Sequence, residues 1–184
     1  MSTAILPESF RRSIGIGFTR FRFRKQQNEM ISFTRSLTDA QRALLIMPIH
    51  HAEPLPIVTI IDLLKKRFPE RGLTVITWGP SLELMQMLPH SQFVRILETE
   101  ITPFYLPRRE TMRRLLSTTY DVAIDLNLDL VLPSGYICRE SNARVRIGFA
   151  GKWSDLFYNF QVKNHPQAGN RGLYDRLAAC LEMF

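Results

Sequence analysis

Cysteine is scarce in this chain. The two that occur, Cys138 and Cys180, form neither a CxxC pair nor a zinc spacing. A disulfide framework and a cysteine-built metal centre are therefore not expected, and nothing points to an oxidising compartment. Both fall in segments that read as helix, where they are read as small buried apolar residues. Long apolar runs are missing too. None approaches the ~20 residues needed to span a bilayer. The first apolar patch, Ala4-Ile5-Leu6, is stopped by Pro7, so no secretory h-region is present. A soluble, cytoplasmic protein is expected, with room for peripheral contact at the inner membrane. Glycine is absent where phosphate chemistry needs it. Neither GxGxxG nor GxxxxGK followed by Ser or Thr occurs, which argues against a dinucleotide enzyme or a P-loop NTPase. No cofactor is expected.

What is present is an ordinary globular composition with an uneven charge. Apolar residues make up 45% of 184. A chain of this length buries roughly 70% of its unfolded surface without covalent staples. The net charge is +7, and residues 1–30 carry six arginines and lysines against Glu8 and Glu29. Such asymmetry suggests an anionic partner: a membrane surface, nucleic acid or an acidic protein face. Residues 1–41 read as a basic, aromatic-rich extension. In Phe18-Thr-Arg-Phe-Arg-Phe-Arg-Lys25 the alternation has the period of a strand, yet Phe10, Ile14, Phe18 and Phe21 share a helical face. Both readings are amphipathic.

From residue 42 to 184 the pattern is regular. Ala43–Met47, Leu73–Trp78, Phe93–Leu97, Val122–Leu126 and Arg144–Gly148 read as strands. Between and after them lie helical segments. One follows Pro54 and Pro56 and ends in Lys65, Lys66 and Arg67; others run from Ser81 to about Leu88, and over Pro107–Thr118, Leu132–Glu140 and Leu173–Met183. Pro56 suits a first helical turn, and Pro89 is a stop. Strands alternating with helices predict an α/β fold, a single Rossmann-like doubly wound parallel sheet.

Ligands of such sheets bind beyond the C-terminal strand ends. After the first strand stand His50, His51 and Glu53, read either as polar loop residues or as general acid/base groups. Adjacent histidines without a third ligand make a poor metal site. After the fourth strand come Asp125, Asn127 and Asp129, which could orient a loop, cap a helix or bind a hydroxyl-rich ligand. The arginines of 108–114 read as a solvated face or an anion patch. Trp153, Phe157, Tyr158 and Phe160 have helical spacing and read as packing residues.

Three stretches carry a family resemblance. Tyr120-Asp-Val-Ala-Ile-Asp-Leu-Asn127 resembles a strand that typically reads YD, two apolar residues, then IDLQ, with Asn127 at the Gln position and Ser134 near a recurrent serine. Ala143-Arg-Val-Arg-Ile-Gly-Phe149 resembles the next strand, and Leu156-Phe-Tyr-Asn159 the segment after it. With Ala43–Met47, these are similar to the first half of glycosyltransferase family 9, the lipopolysaccharide heptosyltransferases. The resemblance implies one half of a GT-B fold, the half facing a lipid-linked saccharide acceptor, with no metal required. Asp125 and Asn127 would then be acceptor contacts. The family's Gly-Asp after the first strand is replaced by Ala52-Glu53-Pro54, so Glu53 stands in as the candidate base, with His50 and His51 nearby. The chain ends where a linker to the donor domain is expected, so independent catalysis is not expected, and a donor-domain or complex partner protein is implied.

The alternative is a non-catalytic scaffold or interaction subunit. It would dock on an anionic membrane surface or a protein complex through the basic prefix, by Arg20, Phe21, Arg22, Phe23 and Arg24, with Phe18, Phe21 and Phe23 inserting. Nucleic acid is not expected as a partner, since basic pI and aromatics are its only support.

Overall fold

The computed structural model describes residues 6–26, 32–49, 54–69, 71–163 and 169–183. His50, His51 and Glu53 lie outside the described residues. The elements run α1 (Glu8–Phe23), α2 (Phe33–Thr38), β1 (Ala43–Ile46), α3 (Pro54–Arg67), β2 (Leu73–Thr77), α4 (Leu82–Met87), β3 (Gln92–Arg95), α5 (Arg109–Leu115), β4 (Val122–Asp125), α6 (Leu132–Glu140), β5 (Val145–Phe149), β6 (Phe160–Val162) and α7 (Gly169–Glu182). All six strands are parallel, in the order β3-β2-β1-β4-β5-β6. This is a Rossmann-like, doubly wound sheet, as the alternation of strand and helix predicts.

The strand sequences explain why both faces must be covered. β1, β2, β4 and β5 are buried at every position. Successive side chains point to opposite faces, so Leu45, Val75 and Ile124 enter one core while Leu44, Ile46 and Ile76 enter the other. The first core is closed by α2, α3 and α7 through Leu37, Ile60, Leu64 and Leu177. The second is closed by α5, α6 and the segment after β5, through Leu115, Ile137, Phe157 and Tyr158. Continuous Val/Ile/Leu strands are stable only in such a sandwich. β3 lies at the edge and is partly exposed.

Two readings change in the structure. Residues 8–23, left open between strand and helix, form α1. A lone strand has no partner for its backbone groups, whereas a helix satisfies its own. The segment holding Trp153, Phe157, Tyr158 and Phe160 is not a helix. It is a single 3-10 turn, Ser154–Leu156, followed by the sixth strand. Its aromatics diverge: Phe157 and Tyr158 are core, Phe160 is on β6, and Trp153 sits at φ 73° with the Arg20 guanidinium 5.1 Å from its ring centre.

α1 docks on the second face. Its inward residues are Gly15, Thr19 and Phe23. A Cβ at Gly15 would lie 2.2 Å from the carbonyl oxygen of Phe104, so only glycine permits this approach. Phe23 meets the Tyr136 ring at 5.5 Å, and Arg22 pairs with Glu140 at 3.2 Å. Arg12 donates to the Leu130 carbonyl and Arg139 to that of Gln26.

Gly148 in β5 is another glycine under close contact. A Cβ there would stand 2.6 Å from the ring of Tyr158. Replacing Gly148 with Ala forces the ring or the strand aside, and overpacking of this kind destabilises by about 1–3 kcal/mol. Thermal unfolding of Gly148→Ala is expected to show a clearly lowered Tm. An unchanged Tm would mean the ring moves freely.

Candidate functional site

Two places stand at the C-terminal edge of the sheet, where the parallel arrangement leaves strand ends open. One is a closed polar cluster, the other an open cleft.

The cluster is built on Asp125, the last residue of β4. Its Oδ1 accepts from the Asn127 backbone N–H at 3.0 Å and from Asn127 Nδ2 at 2.7 Å. Its Oδ2 accepts from the hydroxyls of Ser134 and of Tyr158, the latter at 2.8 Å. Asn127 Nδ2 also donates to Ser134 Oγ, and its Oδ1 accepts the backbone N–H of Ile49 at 3.0 Å. The start of the segment after β1 is thereby tied to the end of β4. Asp125 is 0% exposed and Asn127 7%. The pair predicted as acceptor contacts is turned inward and engaged with protein groups.

The neighbouring stretches join the same unit. Tyr158, which supplies one donor, rests on Gly148. Asn159 Oδ1 accepts the Arg146 N–H at 2.7 Å, and Asn159 Nδ2 donates to the Arg144 carbonyl. Buried Arg146 donates from Nε to the Phe157 carbonyl and from Nη1 to that of Ala143. Burial, above all, pulls its guanidinium down to about 10. At the far end of β4, Asp121 accepts the backbone N–H groups of Gln41 and Arg42. The residues that carry the resemblance thus form one hydrogen-bonded frame joining β1, β4, β5 and α6.

The open cleft spans the ends of β1, β2 and β3, with a volume of about 1150 Å³. One wall is Trp78, whose Nε1 donates to the Met47 carbonyl at 2.9 Å and so fixes the ring. Tyr105 stands on another wall, held at φ 61°, with the Arg11 guanidinium 5.6 Å from its ring centre. Arg11 Nε is closed off from solvent and meets no acceptor. Ser81, Glu83, Thr99, Thr102 and Arg108 add hydroxyl-bearing and charged residues to a lining that also holds apolar ones such as Met47, Ile61 and Leu84. Arg108 Nε donates to the Thr99 carbonyl, and Arg114 pairs with Glu100 at 2.9 Å. The arginines of 108–114 are therefore partly committed to holding the loop after β3.

Trp78, Tyr105 and Arg11 are not among the site residues that the sequence suggests. Trp78 ends a predicted strand, which is a usable signal. Arg11 and Tyr105 reach the cleft from residues far from any strand end, and only the fold brings them in. Of the prefix residues, Arg20, Phe21 and Arg24 are exposed. Phe23 is 5% exposed and belongs to the α1–α6 contact, and Arg22 is paired with Glu140. Among the described residues, no three His, Cys, Asp or Glu side chains gather as a metal site, and no helix is long and apolar enough to cross a membrane.

Burial raises the Asp125 carboxyl above its ordinary 3.8, while the hydrogen bonds of Ser134, Asn127 and Tyr158 pull the other way and burial dominates. With the folded value above the unfolded one, the folded state keeps its proton to higher pH. Asp125 then adds stability at low pH and loses it as pH rises through the folded value. Denaturant unfolding of the protein and of Asp125→Asn is expected to show the parent gaining on the variant as pH falls toward 3.8. A constant difference would contradict the raised value.

No protein-family model, curated protein or solved structure matches this chain.

Proposed function

We propose that this chain is the acceptor-side module of a GT-B-type glycosyltransferase related to family 9, and that its cleft holds a saccharide acceptor. The observation that carries this reading is the open cleft across β1, β2 and β3, walled by the fixed ring of Trp78 and fringed with hydroxyl and charged groups. A sugar ring has apolar C–H faces and a polar rim. A rigid aromatic wall beside scattered hydrogen-bonding groups suits both. Arg11 adds a guanidinium to the cleft lining, which favours an acceptor that carries acid groups.

The hydrogen-bonded frame supports the same reading in a different way. Asn127 fixes Ile49 at the β1 end of the cleft, and His50, His51 and Glu53 follow it in the sequence. In this reading Glu53 is the base that acts when a donor is present. Transfer needs donor and acceptor held in line, and much of the rate comes from that placement. The module binds its acceptor alone and transfers only beside a donor-holding domain.

The test exploits the chain's two tryptophans, Trp78 and Trp153. In Trp153→Phe, Trp78 is the sole tryptophan, and a deacylated lipid A-type saccharide is expected to change its emission saturably. Trp78→Ala, followed by calorimetry, is expected to weaken binding about tenfold or more, or about 1.4 kcal/mol. Absence of binding by a folded protein would sink the proposal.

A further inference from the structure

The outward side of α1 is apolar along its whole length. Phe10 is 52% exposed, Ile14 38%, Phe18 49% and Phe21 63%. At 100° per residue these four fall within one quadrant of the helix. Exposed aromatics in a row are unusual on a helix whose other side is already docked. They are not loose: Gly15, Thr19 and Phe23 hold α1 against the domain, so the stripe is presented on a rigid support. Beside it, Phe18 and Phe104 border an apolar groove of about 550 Å³ with Arg109 on its rim, which widens the face.

Charge edges the stripe. Arg20 and Arg24 follow one edge, while on the other Arg22 is paired with Glu140 and Arg11 lies over the Tyr105 ring. The Arg24 guanidinium lies over the Phe21 ring at 4.2 Å from its centre. The acids nearby do not offset this. Glu8 points away by helical position, Glu140 is taken by Arg22, and Glu110 stands at the groove. An apolar face edged with arginines on an in-plane helix matches the headgroup–acyl boundary of an anionic bilayer. A second copy fits worse, since stripe against stripe would set arginine rows against each other.

We propose that α1 is a peripheral membrane-docking helix, with Phe10, Ile14, Phe18 and Phe21 seated in an anionic lipid surface and Arg20 and Arg24 at the phosphates. Arg11, on the same helix, lines the cleft, so docking sets the cleft beside the lipid surface. The sequence-based expectation also inserted Phe23. The structure removes Phe23 from that role and brings in Phe10 and Ile14.

The test uses flotation of the full chain with vesicles of phosphatidylcholine, with and without phosphatidylglycerol, and no saccharide. Its outcome is therefore independent of the cleft reading. Binding is expected only with phosphatidylglycerol, reduced by salt. It is expected to fall about tenfold or more in Phe18→Ser/Phe21→Ser and in Arg20→Glu/Arg24→Glu. Circular dichroism checks that each variant is folded, and the two variants probe the face by different chemistry. No flotation with anionic vesicles, or flotation indifferent to both variants, overturns the proposal. So does self-association in sedimentation that the Phe18→Ser/Phe21→Ser change abolishes, which would assign the stripe to a second copy.

Discussion

A carboxylate in the middle of an apolar sheet is the constraint on which the rest depends. Asp125 ends β4, beside β1 and at the point where the strand order reverses, and it is removed from water. An unpartnered carboxylate there would be strongly destabilising. Four donors from three residues prevent that. Each donor in turn fixes an element: Asn127 the loop after β4, Ser134 the first turns of α6, and Tyr158 the stretch after β5. Because Tyr158 must reach across β5 to do so, β5 needs a residue without a side chain where the ring passes, and Gly148 is there. Asn127 then has an oxygen left for Ile49. A single buried carboxyl group thereby links the geometry of four segments at one edge of the sheet.

That arrangement also separates support from contact. The frame around β4 and β5 is closed, while the cleft over β1, β2 and β3 is open. Polar residues in the first are answered by the protein; in the second, Arg11 Nε is not. The hydrogen-bonded pair Asp125 and Asn127 thus shapes a site whose walls are made by others. α1 has a comparable division on one helix. Its inner side is close-packed enough to demand Gly15, and its outer side presents four large apolar residues to the surroundings.

Much of the fold was legible because strand burial leaves a direct trace. Ala43–Met47, Leu73–Trp78 and Val122–Leu126 are short apolar runs between turn residues, and each contains the strand found. The weaker edge was less legible. Phe160–Val162 is only three residues long and was hidden by aromatics that mimic helical spacing. In Phe18–Lys25 two periods coexist, and backbone hydrogen bonding, not side-chain pattern, decided between them. Asp125, Asn127 and Ser134 stand out in the sequence as chemistry-bearing residues, but residue type does not say whether a carboxylate faces water or the core. Arg11 shows in the sequence only as one basic residue of the prefix and Tyr105 leaves no signal, since neither lies near a strand end.

The sequence by itself determined that this chain builds a doubly wound parallel sheet, because continuous apolar strands have no other stable environment. It also determined that the N-terminal segment is basic and amphipathic. Tertiary structure decided which side of that segment is free, because the close approach of Gly15 to Phe104 fixes the rotation of α1 about its axis. It decided as well that Asp125 is a keystone of the frame and not a surface group. Burial and hydrogen-bond partners belong to residues distant in the chain, and only the packed sheet brings Tyr158 to Asp125 or Arg11 to Tyr105.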